Sequence, residues 1–503
     1  MATRLPPPKR QKTYHGVPEP APEPYKPAPN IVVEFVSDED GSSLCPAVNI
    51  PANLTRENLE ALLNKLKASN KKDDEDDDSV PYSFHVDLKN AKEGAPTRVV
   101  VASSIEKDVL DHPSEDFTSE DVIVVRCAPQ SVFRVRPATR CSSTLSGHAS
   151  PILCATFSPT GNMLATGSGD MNVRLWDLNT EMPSHVLKGH VGWVLCVEWE
   201  ALERKLASGG HDGRVRLWDP VSGQPIGDAL KGHSKWIMSL AWEPIHINPQ
   251  SPRLASASKD GTVRVWNTAT RQLEYALGGH TASVNIVKWG GSGALYTASS
   301  DRTVRVWDAE KGRPLMTLKD HAHWVTTLTL NTDFVLRTGP FDHKGKKPSS
   351  DEEAQALAKA RYDNFLKSTP ELLISGSDDH TLFLWSTLPL SISRLIFRRP
   401  YINGRWAASS AWDSSVRIWE GKTGKFVATL RGHVGPVYRV AWSADSRMLI
   451  SASKDGTLKI WDLKTYKIRN DLPGHTDEVY CVDFVADKVV SGGRDKTVKI
   501  WKN

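Results

Sequence analysis

Eight times along the chain an Asp stands six residues before a Trp: Asp170/Trp176, Asp212/Trp218, Asp260/Trp266, Asp301/Trp307, Asp379/Trp385, Asp413/Trp419, Asp455/Trp461 and Asp495/Trp501. Most of these units are preceded by Gly-His, at Gly147-His148, Gly189-His190, Gly232-His233, Gly279-His280, Gly432-His433 and Gly474-His475, with Asp320-His321 replacing one. A unit recurring at about forty residues is one supersecondary element that buries its apolar face only by stacking on its neighbours. This repetition commits most of the chain to an array and leaves few other folds open.

Gly-His before and Trp-Asp after such a period is the pattern of WD repeats, each giving about four short strands to a ring of blades without long open edges. The expected fold is mainly β, with an eight-bladed WD40 β-propeller over residues 138–503. In WD repeats generally the His, the turn Asp and the Trp share a buried hydrogen-bonded network. A buried carboxylate needs donors, and the imidazole and backbone N–H groups supply them. The eight turn Asp residues are therefore read as structural. An active site requires asymmetry, and eightfold repetition points away from catalysis.

Two intervals break the rhythm. Trp307 to Trp385 spans about one repeat plus an insertion, residues 331–371, in which Asp351–Arg361 is a strong helix former. Trp385 to Trp419 is short and contains no Gly-His. Residues 395–403, Leu-Ile-Phe-Arg-Arg-Pro-Tyr-Ile-Asn, stand where a Gly-His and an inner strand belong, so the sixth repeat reads as abbreviated there, whether by deletion or by a fault in the deduced sequence. Pro400 cannot donate to a ladder. The last repeat reaches Trp501 without an outer strand, and Thr139–Leu145, ahead of the first Gly-His, can supply it.

Residues 30–137 lack the repeat. Ile31–Val36 and Ala47–Pro51 read as a hairpin, and a helix is expected from about Thr55 with Leu59, Leu62, Leu63 and Leu66 on one face. Strands are expected at Tyr82–Val86 and Val122–Arg126, with Arg98–Ala102 a further candidate. This order is that of a small α+β ubiquitin-like β-grasp. No Gly-Gly tail closes it, because the chain runs on into Phe133-Arg134-Val135-Arg136-Pro137, so the domain reads as a recognition module. Residues 71–78, Lys-Lys followed by six acids, read as a solvated loop. Residues 1–29, rich in Pro with a basic cluster at Lys9, Arg10 and Lys12, cannot bury a core and read as a disordered tail.

The charge is nearly balanced, 63 basic against 59 acidic residues. That does not require nucleic acid but leaves room for a local basic patch. The six Cys show no metal spacing and fit a reducing compartment, cytosol or nucleus. No apolar run reaches membrane-spanning length and no signal peptide is read.

Partner contacts are expected on the propeller face that carries two loop sets. The turns beside the repeat Asp hold Lys259, Arg302, Lys454, Arg494 and Lys496. The loops after the His hold Trp193, Trp236 and Trp324. Cations with aromatics suit RNA, by phosphate contact and base stacking. Packing of the aromatics between blades, with ordinary solvated turns, is the competing reading.

The chain resembles the Notchless family. The resemblance rests on the two-domain order, the joint Pro129–Arg140 and the blade-five insertion Arg337–Pro348. It implies a role in assembly of the large (60S) ribosomal subunit, on nucleolar and nucleoplasmic precursor particles. It further implies that the ubiquitin-like domain is gripped by the metal-ion-dependent adhesion site of midasin, an AAA+ ATPase. The family's acid lies in a Glu-Asp step before the domain's last strand, here Glu120-Asp121, with Glu115-Asp116 the competing match. Glu120 would complete the coordination of a divalent cation (Mg²⁺) held by the partner, since hard oxygen suits that ion. No cofactor of the chain's own is expected.

Two other classes remain. A ubiquitin-ligase substrate receptor would bind a ligase adaptor and not ribosomal precursors, and the family name suggests a Notch-signalling regulator. An enzyme is not expected, because no nucleophile–base pair, phosphate loop or metal triad stands outside the repeat residues.

Overall fold

The computed structural model describes residues 30–38, 42–69, 82–87, 98–101, 104–110, 122–129, 137–341, 347–386, 401–402, 406–443, 445–485 and 488–502. The expectations for the tail 1–29, the charged run 71–78, Glu115-Asp116, Glu120-Asp121, and 395–400 with 403 lie outside the described residues. The chain divides into two compact units, Met1–Val132 and Phe133–Asn503.

The first unit is a five-stranded sheet with one helix. Its strands are β1 (Asn30–Ser37), β2 (Val48–Pro51), β3 (Tyr82–Asp87), β4 (Arg98–Val100) and β5 (Val122–Pro129), in the order β2-β1-β5-β3-β4. β1 runs parallel to β5, and the other pairs are antiparallel. Alternate residues Ile31, Val33 and Phe35 of β1, and Ile123 and Val125 of β5, point into one core. Helix α1 (Arg56–Ser69) lays Leu59 and Leu63 onto that core, with Leu62 and Leu66 partly buried beside them. The arrangement is compatible with the expected ubiquitin-like grasp. A π-helical turn at Glu106–Leu110, which buries Val109, was not expected.

The second unit holds eight antiparallel sheets. Their inner strands are Ile152–Phe157, Val194–Trp199, Ile237–Trp242, Val284–Trp289, Val325–Leu330, Tyr401–Ile402, Val437–Trp442 and Val479–Val485. Each packs beside the next, and the eighth packs beside the first, so the blades form a closed ring. Strand β6 (Arg140–Ser146) is the outer strand of blade eight, pairing antiparallel with Thr497–Lys502. The chain before the first repeat thus completes the last, as its missing strand required.

Blade two has three strands, and two isolated bridges, Val215↔Leu230 and Trp218↔Pro225, stand where a fourth would run. Pro225 has no N–H to give, and Gly227 adopts φ 70°, which breaks an extended run. In blade six, among the described residues, the inner strand is Tyr401–Ile402, facing Ala408 and Ala407.

The insertion folds into two helices. α3 (Asp351–Ser368) extends beyond the expected Asp351–Arg361, and α2 (Asp333–Thr338) was not expected. Ser350 caps α3 by accepting from Glu353 N–H at 3.2 Å, and Asp351, Glu352 and Glu353 fill its first turn. Ala354, Ala358 and Tyr362 form the buried stripe. At six residues α2 is under two turns long, too short for a helical period to show in the sequence.

Candidate functional site

Seven blades contain the same four-residue network. In blade one, His148 Nδ1 lies 2.8 Å from Asp170 Oδ2 and its Nε2 lies 2.9 Å from Thr166 Oγ1. Trp176 Nε1–H donates to that hydroxyl at 2.9 Å, and Ala149 N–H donates to Asp170 at 3.0 Å. Ser208, Ser256, Thr297, Ser375, Ser451 and Ser491 take the same place between the His and Trp of blades two, three, four, five, seven and eight. Asp212, Asp260, Asp301, Asp379, Asp455 and Asp495 hold the corresponding His residues. The hydroxyl member was missed in the sequence, although it stands ten residues before every repeat Trp.

Burial pushes these carboxyls up, but hydrogen bonds from the imidazole, hydroxyls and backbone N–H groups outweigh it. Asp170, Asp260, Asp379 and Asp455 are held at about 2. Burial lowers the basicity of His233, His321, His433 and His475, opposed by the paired Asp. A neutral imidazole that donates from Nδ1 to Asp accepts at Nε2 from the hydroxyl. Asp, His and hydroxyl in that order resemble a nucleophile triad. The resemblance carries no chemistry here, because the hydroxyl residues are fully buried and already engaged by an indole N–H. Blade six departs from the pattern: Trp419 bonds Ser409 at 3.1 Å, but Asp413 pairs with Arg417 at 2.9 Å instead of a His.

Antiparallel pairing sends the loops after each His and the turns holding each Asp to one face of the ring. Trp193, Trp236 and Trp324 stand there 57%, 37% and 53% exposed. Lys259 Nζ lies 4.0 Å from the Trp236 ring centre. Arg302 and Lys496 occupy exposed turn positions with φ 72° and 66°. Lys454 and Arg494 each approach Glu478 to 3.7 Å, and Arg494 approaches Asp477 to 3.7 Å. The face therefore has an aromatic and cationic sector in blades two to five and an ion-paired sector in blades seven and eight. His211, unnoticed in the sequence, stacks on Trp236 at 3.9 Å. Glu120 and Asp121 lie outside the described residues.

The opposite face is covered at its centre. The insertion leaves blade five between its first and second strands, on the side away from the Trp loops. Gly339, after α2, lies against Ala201 and Ile245 of blades two and three, and Arg361 of α3 donates to the carbonyls of Gly339 and Phe341. Across the channel, Arg337 donates to Asp483 of blade eight at 3.0 Å, and Asp333 meets Lys288 of blade four at 3.1 Å. A cavity of about 370 Å³ remains, lined by Lys288, Asp333, Arg337 and Asp483 with Glu198 and Arg439. Among the described residues, no cluster of three or more His, Cys, Asp or Glu could hold a metal.

Closed ring, repeat network and two unlike faces define a WD-repeat scaffold with a separate N-terminal module. The model for "WD domain, G-beta repeat" matches residues 139–177, 181–219, 223–267, 271–308, 401–420, 424–462 and 466–502. It leaves out blade five with its insertion, and its match in blade six starts at Tyr401. The model for "NLE (NUC135) domain" matches residues 31–91. The chain is 46% identical to "Ribosome assembly protein 4" of Saccharomyces cerevisiae over 446 residues, covering 85% of each chain. It is 43% identical to "Notchless protein homolog" of Arabidopsis thaliana, covering 80% of this chain and 83% of that protein. It is 44% identical to "Protein Notchless" of Drosophila melanogaster, covering 71% and 70%. Among solved structures, the computationally designed Ika8 protein superposes with TM-score 0.56 at 26% identity, over 72% of this chain and all of Ika8. The chain belongs to the Notchless family.

Proposed function

We propose that the chain is a non-enzymatic assembly factor for the large ribosomal subunit, acting in the nucleolus and nucleoplasm. The observation that carries this is the 46% identity to a protein named for ribosome assembly, extending over 85% of the chain. The propeller anchors on the precursor particle through the face bearing Trp193, Trp236, Trp324, Lys259, Arg302, Lys454, Arg494 and Lys496. The N-terminal domain offers the Glu120 carboxylate, beside Asp121, to a Mg²⁺ ion in the adhesion site of a midasin-type AAA+ ATPase. Force generated by such a motor does work only if the other end of the factor is held, which assigns the two tasks to the two units.

Sedimentation of the native protein tests the first part. Co-migration with large-subunit precursors is expected, and exclusive recovery with a ubiquitin-ligase adaptor would overturn it. For the motor contact, Glu120→Asp keeps the charge but withdraws the carboxylate by about one methylene, and Mg²⁺ tolerates little error in ligand distance. Binding to the ATPase is expected to fall sharply and to vanish on chelation. Undiminished metal-dependent binding by Glu120→Asp would move the ligand to Glu115 or Asp116.

A further inference from the structure

On the loops of blades two to four that reach the face bearing Trp193 and Trp236, the acids are Asp212, Asp260 and Asp301. Each is turned inward onto its His, with side-chain exposure below a tenth. What faces solvent around them is aromatic, cationic or small: Trp193, His211, Arg214, Lys235, Trp236, Lys259 and Arg302. Among the described residues none of Lys235, Lys259 and Arg302 makes an ion pair. Blades seven and eight differ, since their Lys454 and Arg494 are engaged by Glu478.

The aromatic groups form a ladder across a blade boundary. Trp193 and His211 belong to blade two and have ring centres 6.0 Å apart. His211 then stacks on Trp236 of blade three at 3.9 Å with the planes inclined by 32°. Lys259 closes the far end, 4.0 Å over Trp236. The backbone fixes both rungs: His211 N–H donates to Trp193 C=O at 2.8 Å, and Lys259 N–H donates to Trp236 C=O at 2.9 Å. A scaffold built this way holds its π faces and charges in place before any partner arrives, which lowers the ordering cost of binding.

We infer that this ladder is a stacking platform for single-stranded RNA, with the open ring of Trp193 taking a base, Trp236 held between His211 and Lys259 as the support behind it, and Lys235, Lys259 and Arg302 taking phosphates. A π face accepts any base, and cations beside it track the backbone. Duplex RNA fits poorly, because its bases already stack on one another and its narrow major groove hides their edges. An acidic peptide would use the cations but leave the aromatic rungs idle. The inference deepens the anchoring role proposed above and rests on it for the source of the RNA.

The test uses the full chain and fluorescein-labelled oligo(U) and oligo(A), with a short RNA duplex and polyglutamate as comparisons. Anisotropy is expected to show tighter binding to single strands than to either comparison. Trp193→Ala and Trp236→Ala are each expected to weaken oligonucleotide binding roughly tenfold without changing the melting temperature, and Trp236→Phe to retain most of it. Lys259→Ala is expected to reduce the slope of log affinity against log salt by about 0.7. Unchanged affinity in both Trp→Ala variants would overturn the inference, as would polyglutamate binding as tightly as oligo(U), which would assign the patch to an acidic protein. Should Trp193→Ala/Trp236→Ala still sediment with precursor particles yet never have differed in oligonucleotide binding, the stacking platform falls while the assembly role stands.

Discussion

The repeat Asp is a residue whose value lies in how many donors it serves. Asp455 accepts from His433 at 2.9 Å, from Val434 N–H at 3.0 Å and from Thr457 N–H at 3.0 Å. Asp455→Ala leaves these groups without an acceptor, at about 1–3 kcal/mol for each one buried. A lower melting temperature with unaltered partner choice is expected; native stability with loss of a single partner would make Asp455 a contact residue. Asp413→Ala should cost less, because its carboxylate serves Arg417 and Ser415 near solvent. The same network sets a pH response. Folded His233, His321, His433 and His475 bind protons more weakly than an unfolded His at about 6.5, so stability is complete above that pH and falls below it. Folded Asp170, Asp260, Asp379 and Asp455, at about 2, lie below the unfolded value of about 3.9, so their contribution is lost as pH drops from about 4 toward 2. Urea midpoints should therefore decline in two stages, one below pH 6.5 and one below pH 4. A flat profile between pH 7 and pH 5 would mean that the His residues are not buried neutral. Asp and Trp were legible in the sequence because each repeats beside other fixed residues. The hydroxyl was less so, since Ser and Thr are common and a spacing of ten across a turn catches attention only once the strands are paired. His211 gave no signal at all, because its partner Trp236 belongs to the next blade.

At the scale of elements, the insertion shows how local and tertiary information differ. α3 was legible from its helix-forming composition. α2 was not, because its pattern answers to contacts with blades two, three, four and eight rather than to its own period. The junction between α3 and the ring centres on Glu371, a buried carboxylate. It accepts from Tyr362 O–H at 2.8 Å, from Tyr296 O–H at 3.2 Å and from Gly291 N–H at 3.2 Å. Burial pushes its pKa up against these three donors. Tyr362 also stacks on His246 of blade three, with ring centres 4.8 Å apart. Tyr362→Phe keeps the stack and the volume but removes one donor from a buried acid, at about 1.5–3 kcal/mol if the acid is ionised. A melting temperature lower by a few degrees is expected, with faster hydrogen exchange across α2 and α3 as they loosen from the blades. A variant that melts like the native chain would show that the insertion is held by its apolar stripe alone. The sixth blade carries the opposite lesson. Absence of Gly-His marked it in the sequence, and in the structure Asp413 pairs with Arg417 where the other blades have a His, so a missing motif had a local physical consequence.

For the whole molecule, the decisive feature is that the two ends of the propeller lie in one sheet. β6 pairs with Thr497–Lys502 from Ser146 through Arg140, and Thr139 N–H adds a bond to Lys502 C=O at 2.9 Å. Leu145 packs in the core shared with Val498 and Ile500, and Asn470 of blade seven donates to Ala138 C=O at 2.9 Å. This closure was legible because the final repeat lacked an outer strand while an unused stretch stood before the first; the identity of the neighbours in the core was not, since they come from opposite ends of the sequence. A ring closed in this way leaves only the short outer-strand edges of its blades, whereas a further uncovered strand presents unpaired N–H and C=O groups to any other chain. Residues 138–503 retain β6 and should fold, join precursor particles and fail to recruit the ATPase. Residues 147–503 lack β6, which uncovers the edge of Thr497–Lys502 and the apolar Val498 and Ile500. That shorter chain should melt at lower temperature and self-associate by light scattering, and a peptide of residues 138–146 added in trans should reverse both by taking the vacant strand position. Equal melting temperatures for the two chains would show that packing between neighbouring blades holds the ring without this strand. Loss of particle binding by a folded 138–503 chain would instead leave the ring intact and place the anchor in the N-terminal unit.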